Sequence, residues 1–234
     1  MKKTFLTFVL LFTAVALQAQ TLIKANFNKG DKATYEYTAN IDLASMMQGK
    51  TLTANVTSKL HVDVKEANAE GYQIELLFSD VKVDGDETAF QQSGGQLLTM
   101  LNNVPLLYQT DKNGELKKLL NSEEAVGKMS KTGIAKIDSL YAKNPEIEKV
   151  NPKMNMLMAL SNTLTEEFIT EYVKEQTVFS LYGKTLKTGD QEDKSVQGMK
   201  TTTSYEVNRI LGMLTVVGKV KANMSEDDVK SFLI

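Results

Sequence analysis

Two side chains that carry much of protein chemistry are nearly missing: the chain has one histidine, His61, and no cysteine. A zinc site draws several ligands from those two types, and a serine or cysteine nucleophile needs a base held beside it. Alone, His61 offers neither a zinc ligand set nor an obvious nucleophile to activate. It falls on the polar face of an alternating stretch, so it reads as an exposed surface histidine. No Gly-x-Ser-x-Gly occurs. The sequence therefore offers no catalytic residue, no metal ligand set and no cofactor site.

Three other groups could do chemistry. Glu167, Glu171 and Glu175 recur every fourth residue, and three carboxylates can hold a hard cation. Lys174 interrupts them, however, so a solvated ridge is expected. Asp80, Asp84, Asp86 and Glu87 have the composition of a calcium loop without its alternate-oxygen spacing, and a turn at Asp84-Gly85 accounts for them. Met154, Met156 and Met158 are thioethers of the kind that bind Cu(I). On a helix Met154 and Met158 share a face while Met156 points elsewhere. Leu157, Ala159 and Leu160 make that turn apolar all round, which predicts burial in the core or the lining of a pliable apolar pocket by Met154, Met156, Leu157, Met158 and Leu160.

The stretch from Thr51 to Asp84 must organise whatever positions these residues. Leu52, Ala54, Val56, Leu60, Val62 and Val64 occupy even positions, interrupted by Ser58, while Thr, Asn, Lys, His and Asp fill the odd ones. Period two over this length predicts a long strand with one buried face. Asn68-Ala69-Glu70-Gly71 supplies a turn, after which Tyr72, Ile74, Leu76 and Phe78 alternate again. Leu77, Val81 and Val83 are odd, so the phase changes, and a bulge is expected near Leu77–Asp80. Leu22–Phe27 and Thr34–Ala39 read as earlier strands. Asp111-Lys112-Asn113-Gly114 reads as a hairpin turn between Pro105–Thr110 and Glu115–Leu120.

From about 121 to 175 the period becomes helical. Asn121 to Glu124 opens a helix along Val126, Met129, Ile137, Leu140 and Tyr141, with Gly127 and Gly133 as points where it could divide. Asn144-Pro145 and Asn151-Pro152 restart it, and Thr163-Leu164-Thr165-Glu166 has the form of a capping box. Strands then return at Val178–Tyr182, Ser195–Val207 and Leu211–Met224. Two segments echo each other: Asn28-Lys29-Gly30-Asp31 and Lys187-Thr188-Gly189-Asp190 both end in Gly-Asp and read as paired strand-entry turns. The expected fold is α+β, a mainly antiparallel, curved sheet with a helical insertion. An open barrel like that of periplasmic lipoprotein carriers is one form of it.

Composition bounds the rest. Lys2 and Lys3, an apolar run from Phe5 to Leu17, and small residues at Ala14, Ala16 and Ala19 lay out a secretory signal peptide over residues 1–19. Without cysteine there is no lipid anchor and no disulfide, so residues 20–234 are expected to form one domain resting on its hydrophobic core. A periplasmic or secreted location follows. Arg209 is the only arginine and acidic residues outnumber basic ones, which argues against nucleic acid as a partner.

The Lys29-Gly30-Asp31 entry to a tyrosine-bearing strand, the Asp111–Glu115 hairpin, and Tyr182-Gly183-Lys184-Thr185-Leu186 running into Gly189-Asp190 resemble a family of exported, β-rich Bacteroidota proteins of unknown function. The Gln18-Ala19-Gln20 end of the signal is similar too. The resemblance implies an exported β protein, transfers no catalytic residue, and implies a chain that continues past Ile234. Ser225 with Glu226, Asp227 and Asp228 opens a last helix that stops in Phe232-Leu233-Ile234, which also reads as a truncated end or a docking segment. The function expected is a non-catalytic binding or scaffold protein of the cell envelope, with a lipid, an apolar small molecule or an envelope protein as partner. A carboxylate-based hydrolase and a surface adhesin or assembly subunit are the alternatives.

Overall fold

A computed structural model describes residues 20–42, 53–85, 95–196, 199–210 and 213–222. The last helix expected over Ser225–Ile234 and the signal peptide lie outside these residues. In chain order the strands are β1 (Thr21–Leu22), β2 (Lys32–Asp42), β3 (Thr53–Asn68), β4 (Gly71–Gly85), β5 (Pro105–Thr110) and β6 (Leu116–Leu119). They continue as β7 (Thr185–Leu186), β8 (Gln191–Val196), β9 (Met199–Ile210) and β10 (Met213–Ala222). The helices are α1 (Gly95–Leu101), α2 (Ser122–Lys143), α3 (Ile147–Val150), α4 (Lys153–Thr163) and α5 (Glu166–Gln176), followed by a 3-10 turn at Val178–Ser180. The fold is α+β, its sheets antiparallel and open, with the helical insertion where the sequence placed it. Backbone packing groups the chain into two compact units, Lys24–Tyr182 and a smaller one of Met1–Ile23 with Gly183–Ile234.

In the larger unit the strands lie in the order β2-β3-β4-β5-β6. Ala54, Val56, Ser58, Leu60, Val62 and Val64 are buried, the face that alternation selects. Ile74, Leu76 and Phe78 continue that face on β4, and Leu106 and Tyr108 on β5. The hairpin turns at Asn68, whose Oδ1 accepts from the Glu70 and Gly71 amides at 2.9 and 3.2 Å. Thr57 pairs with Lys82 but Lys59 with Ser79, so Asp80 and Val81 together face Ser58. That is the bulge the phase change requires, and Asp80 adopts φ 54° to make it. A second irregularity, at Lys65, lets even positions face the core on both arms of a hairpin closed by the Asn68–Gly71 pair.

The helices cover this apolar face, burying Leu97, Leu98 and Leu101 of α1, Met129 of α2, and Ile169 and Val173 of α5. Each such side chain contributes roughly 1.5–3 kcal/mol by leaving water. Four local readings change. Neither Gly127 nor Gly133 divides α2, which runs unbroken and buries Ala125, Met129, Gly133, Ile137 and Tyr141 at a spacing of four. Asn121 does not cap it: its Oδ1 accepts from the Leu107 amide at 2.9 Å and its Nδ2 donates to the Pro105 carbonyl at 3.0 Å, pinning β5 to the helix start. The cap of α5 is Thr165 rather than Thr163, its hydroxyl accepting from Phe168 at 3.2 Å. Glu166, freed from a capping box, instead accepts from the Leu119 amide at 3.1 Å. Val178–Ser180 is a 3-10 turn and not a strand, because the Thr177 hydroxyl caps it by accepting from Phe179.

In the smaller unit β8, β9 and β10 form a meander and β1 pairs with β7. The stretch read as one strand from Ser195 to Val207 spans the end of β8 and much of β9, which pair antiparallel with Val196 opposite Met199. The echo between the two Gly-Asp turns is exact in its bonding. Asp31 Oδ2 accepts from the Asn28 amide at 2.7 Å and Asp190 Oδ2 from the Lys187 amide at 2.9 Å. Gly30 and Gly189 take φ 89° and 94°. Gly30 donates to Val64 O, and Val64 donates back to Asp31 O; Gly189 and Asp190 grip Tyr205 in the same way. Each turn thus clamps the second strand of its own sheet beside the pair that follows, Lys32 with Asp63 and Gln191 with Ser204.

Candidate functional site

The face of β2, β3 and β4 opposite the core carries most of the side chains with chemical reach. Cross-strand register places Thr34 opposite His61 and Lys59 opposite Ser79. His61 bridges them: Nδ1 lies 3.0 Å from Thr34 Oγ1 and Nε2 2.8 Å from Ser79 Oγ. The histidine expected to be exposed and without a serine is half-buried and holds one. Ser79 is remote in sequence from His61, and only the hairpin brings it back; the Ser-x-x-Lys spacing of Ser79 and Lys82 was a signal in the sequence that was passed over. Counting strand pairs outward from the Asn68–Gly71 turn sets His61 against Phe78, and only the irregularity at Lys65 moves it to Leu77, diagonal to Ser79.

The bulge completes the surroundings. In a regular strand Ser79 and Lys82 would point to opposite faces. The extra residue turns Lys82, paired with Thr57, to the same side as Ser79, paired with Lys59. Ser79-Asp80-Val81-Lys82 is therefore a serine–lysine spacing that gains meaning only on a bulged strand. Asp80 reaches across to Lys59 at 2.8 Å, and the pair holds the Asp80 carboxyl below, and the Lys59 ammonium above, its ordinary value. Glu36, Thr38, Thr57, Lys59, Asp80 and Lys82 border a depression of about 220 Å³ at this point. Next to it runs an ionic row, Lys32 and Lys65 on Asp63 at 3.0 and 2.9 Å and Lys65 on Glu75 at 3.0 Å. Exposed pairs like these add little stability.

The other candidates separate. Asp84 is in β4 opposite Asn55 rather than in a turn, and Asp86 and Glu87 lie outside the described residues. Glu167, Glu171 and Glu175 are exposed, with Glu171 paired to Lys174 at 2.9 Å. Among the described residues no cluster of three or more His, Asp or Glu side chains is placed to hold a metal ion. The Asp63, Asp80, Asp111 and Glu124 carboxyls are held below their ordinary range by hydrogen bonds and lysines that outweigh burial. A general acid needs the opposite sense.

The methionine turn departs from expectation. α4 buries no side chain completely. Leu160 packs on Gly133 of α2, and Met156 and Leu157 are half-buried, but Met154 and Met158 are 63% and 58% exposed. Val150, at the end of α3, is 89% exposed. The turn is apolar all round, yet among the described residues it packs on the side toward α2 and leaves Met154 and Met158 exposed. No protein-family model, curated protein or solved structure matches the chain.

Proposed function

We propose that the protein is an exported binding or scaffold protein of the cell envelope that receives an apolar partner on the Met154–Met158 side of its helical cover. The observation that carries this is α4, a helix of 11 residues with no fully buried side chain and two methionines in water. Burying each methionine against a partner contributes roughly 1.5–3 kcal/mol. An unbranched thioether adapts to more than one ligand shape. The partner favoured is a lipid or an apolar small molecule; an envelope protein is the other occupant such a face would suit. Export rests on the Lys2–Ala19 signal layout, and the mature chain then begins at Gln20 or, with the alternative cut, at Leu17.

Native mass spectrometry of protein purified without detergent, together with titration of a fluorescent fatty acid, tests the reading. A co-purifying apolar mass or saturable binding is expected, weakened at least about tenfold in a Met154→Gln, Met158→Gln double variant. A clean apo mass with no fatty-acid binding removes the lipid. N-terminal sequencing of the exported protein checks the address, and an intact Met1 in the cytosol overturns it.

A further inference from the structure

We propose that Ser79 is an activated nucleophile, with His61 as its base, that takes the acyl group of small esters. This goes beyond the binding reading and rests on a different surface, the face of β2–β4 opposite the core. Ser79 Oγ lies 2.8 Å from His61 Nε2, inside the range for proton transfer. The opposite ring nitrogen, Nδ1, lies 3.0 Å from Thr34 Oγ1. With Nδ1–H donating to that hydroxyl, the Nε2 lone pair faces Ser79, which is the tautomer a base requires. Thr34 is then a positioning residue. Lys59 stands directly across the ladder from Ser79, its ammonium held by Asp80, and the bulge turns Lys82 to the same side. Two lysines thus share the serine's face of the sheet, a setting that favours negative charge developing on an attacked carbonyl. Bulges recur beside active sites because they re-aim side chains. The depression of about 220 Å³ bordered by Lys59, Asp80 and Lys82 adjoins the pair along the sheet face, while Ser79 and His61 stand outside its lining, so a small ester reaches the serine from the open face.

The chemistry balances with water as the only co-reactant. Ser79 Oγ bonds to the ester carbonyl carbon while its proton passes to His61 Nε2. The C–O bond to the alcohol breaks and that proton leaves with the alkoxide. Water, deprotonated by the same nitrogen, then releases the acid and restores Ser79.

The test is labelling by a short-chain alkyl fluorophosphonate, in which the Ser79 Oγ–P bond forms, fluoride leaves and His61 takes the proton. Intact mass and peptide mapping should find one adduct, on Ser79, absent from Ser79→Ala. His61→Gln should slow labelling about a hundredfold. Thr34→Val should slow it too, and Thr34→Ser, which keeps the hydroxyl, should restore it. Circular dichroism of each variant separates lost chemistry from lost fold, and mapping on the unaltered protein locates the adduct even where a variant does not fold. No adduct at residue 79 above that on heat-unfolded protein overturns the proposal, as does an unchanged rate in a folded His61→Gln. Either result leaves a cross-strand hydrogen-bonded row and nothing more.

Discussion

Gly133 of α2 and Leu160 of α4 touch so closely that a Cβ on Gly133 would come within 2.8 and 2.9 Å of the two leucine methyls. Met100 Sδ would be 3.1 Å away. This contact is how α4 sits on the helix beneath it while the methionines on its far side stay in water.

Gly127, six residues earlier on the same helix, meets nothing within 4 Å. Gly127→Ala should therefore raise stability by about 0.5–1 kcal/mol, the helix preference for alanine with no steric cost. Gly133→Ala earns the same preference but must push Leu160 and Met100 aside, and should fall about 1 kcal/mol below Gly127→Ala. Gly133→Val should be worse by a further ~1–2 kcal/mol. Denaturant midpoints of the three variants decide it: equal gains at both glycines would mean that the contact is slack.

The two Gly-Asp turns make a prediction that separates the two units. Asp31 and Asp190 each accept a backbone amide three residues back. Replacing either by alanine removes a charge-assisted bond and should cost its own sheet about 1–2 kcal/mol. Hydrogen exchange should then show faster amides in β2 and β3 for Asp31→Ala, and in β8 and β9 for Asp190→Ala. Crossed effects of equal size would show that the turns do not act locally.

Tyr108 and Thr170 are both buried, and neither hydroxyl has a hydrogen-bond partner of good geometry. Burial pushes the Tyr108 phenol up to about 12, a shift that the neighbouring Thr170 hydroxyl slightly opposes. Two unpaired hydroxyls in an apolar core cost more than the methyl or hydrogen that could replace them. The double variant Tyr108→Phe, Thr170→Val should be more stable by about 1–2 kcal/mol in chemical unfolding. A loss of similar size would mean that the hydroxyls bond to each other or to a trapped water.

How far the sequence reached depends on the length of the pattern. The β3–β4 hairpin was legible because alternation over Ala54–Val64 leaves one face for the core, and a phase slip has only one physical cure, the bulge at Asp80. The helical block was legible from its period, but its caps were not. Asn121 and Glu166 have capping chemistry and spend it on β5 and β6 instead, a tertiary competition that no local window contains. The β8–β9 hairpin was hidden because polar residues fill Gln191–Ser195 and Lys200–Ser204 alike and leave no apolar alternation to mark two arms. The His61–Ser79 contact was hidden for the reason that makes sheets non-local: two residues 18 apart in sequence became neighbours through register. Met154 and Met158 were misjudged because an apolar helix turn is ordinarily buried, and here one side of it stays exposed among the described residues.

Acid sensitivity should concentrate in part at the β5–β6 hairpin. Asp111 Oδ1 accepts from the amides of Asn113 at 2.8 Å and Glu115 at 3.0 Å, and Lys117 lies 3.6 Å from Oδ2. Burial alone would push this carboxyl up, but the two amides and the lysine together outweigh it and hold the value below the ordinary aspartate range. A carboxyl lowered by folding adds stability that is fully present above its unfolded pKa, about 3.9, and is lost as pH falls through the folded value. Asp111→Asn keeps the shape and removes the charge, so it should cost about 1 kcal/mol at pH 7. Its unfolding midpoint should then converge on that of the unaltered protein as pH falls through the folded value of Asp111, which lies below the ordinary aspartate range. Urea unfolding at a series of pH values measures the difference directly. A gap that stays constant from pH 7 to pH 2 would show that the charge on Asp111 contributes nothing and that the turn is held by the shape of its hydrogen bonds alone.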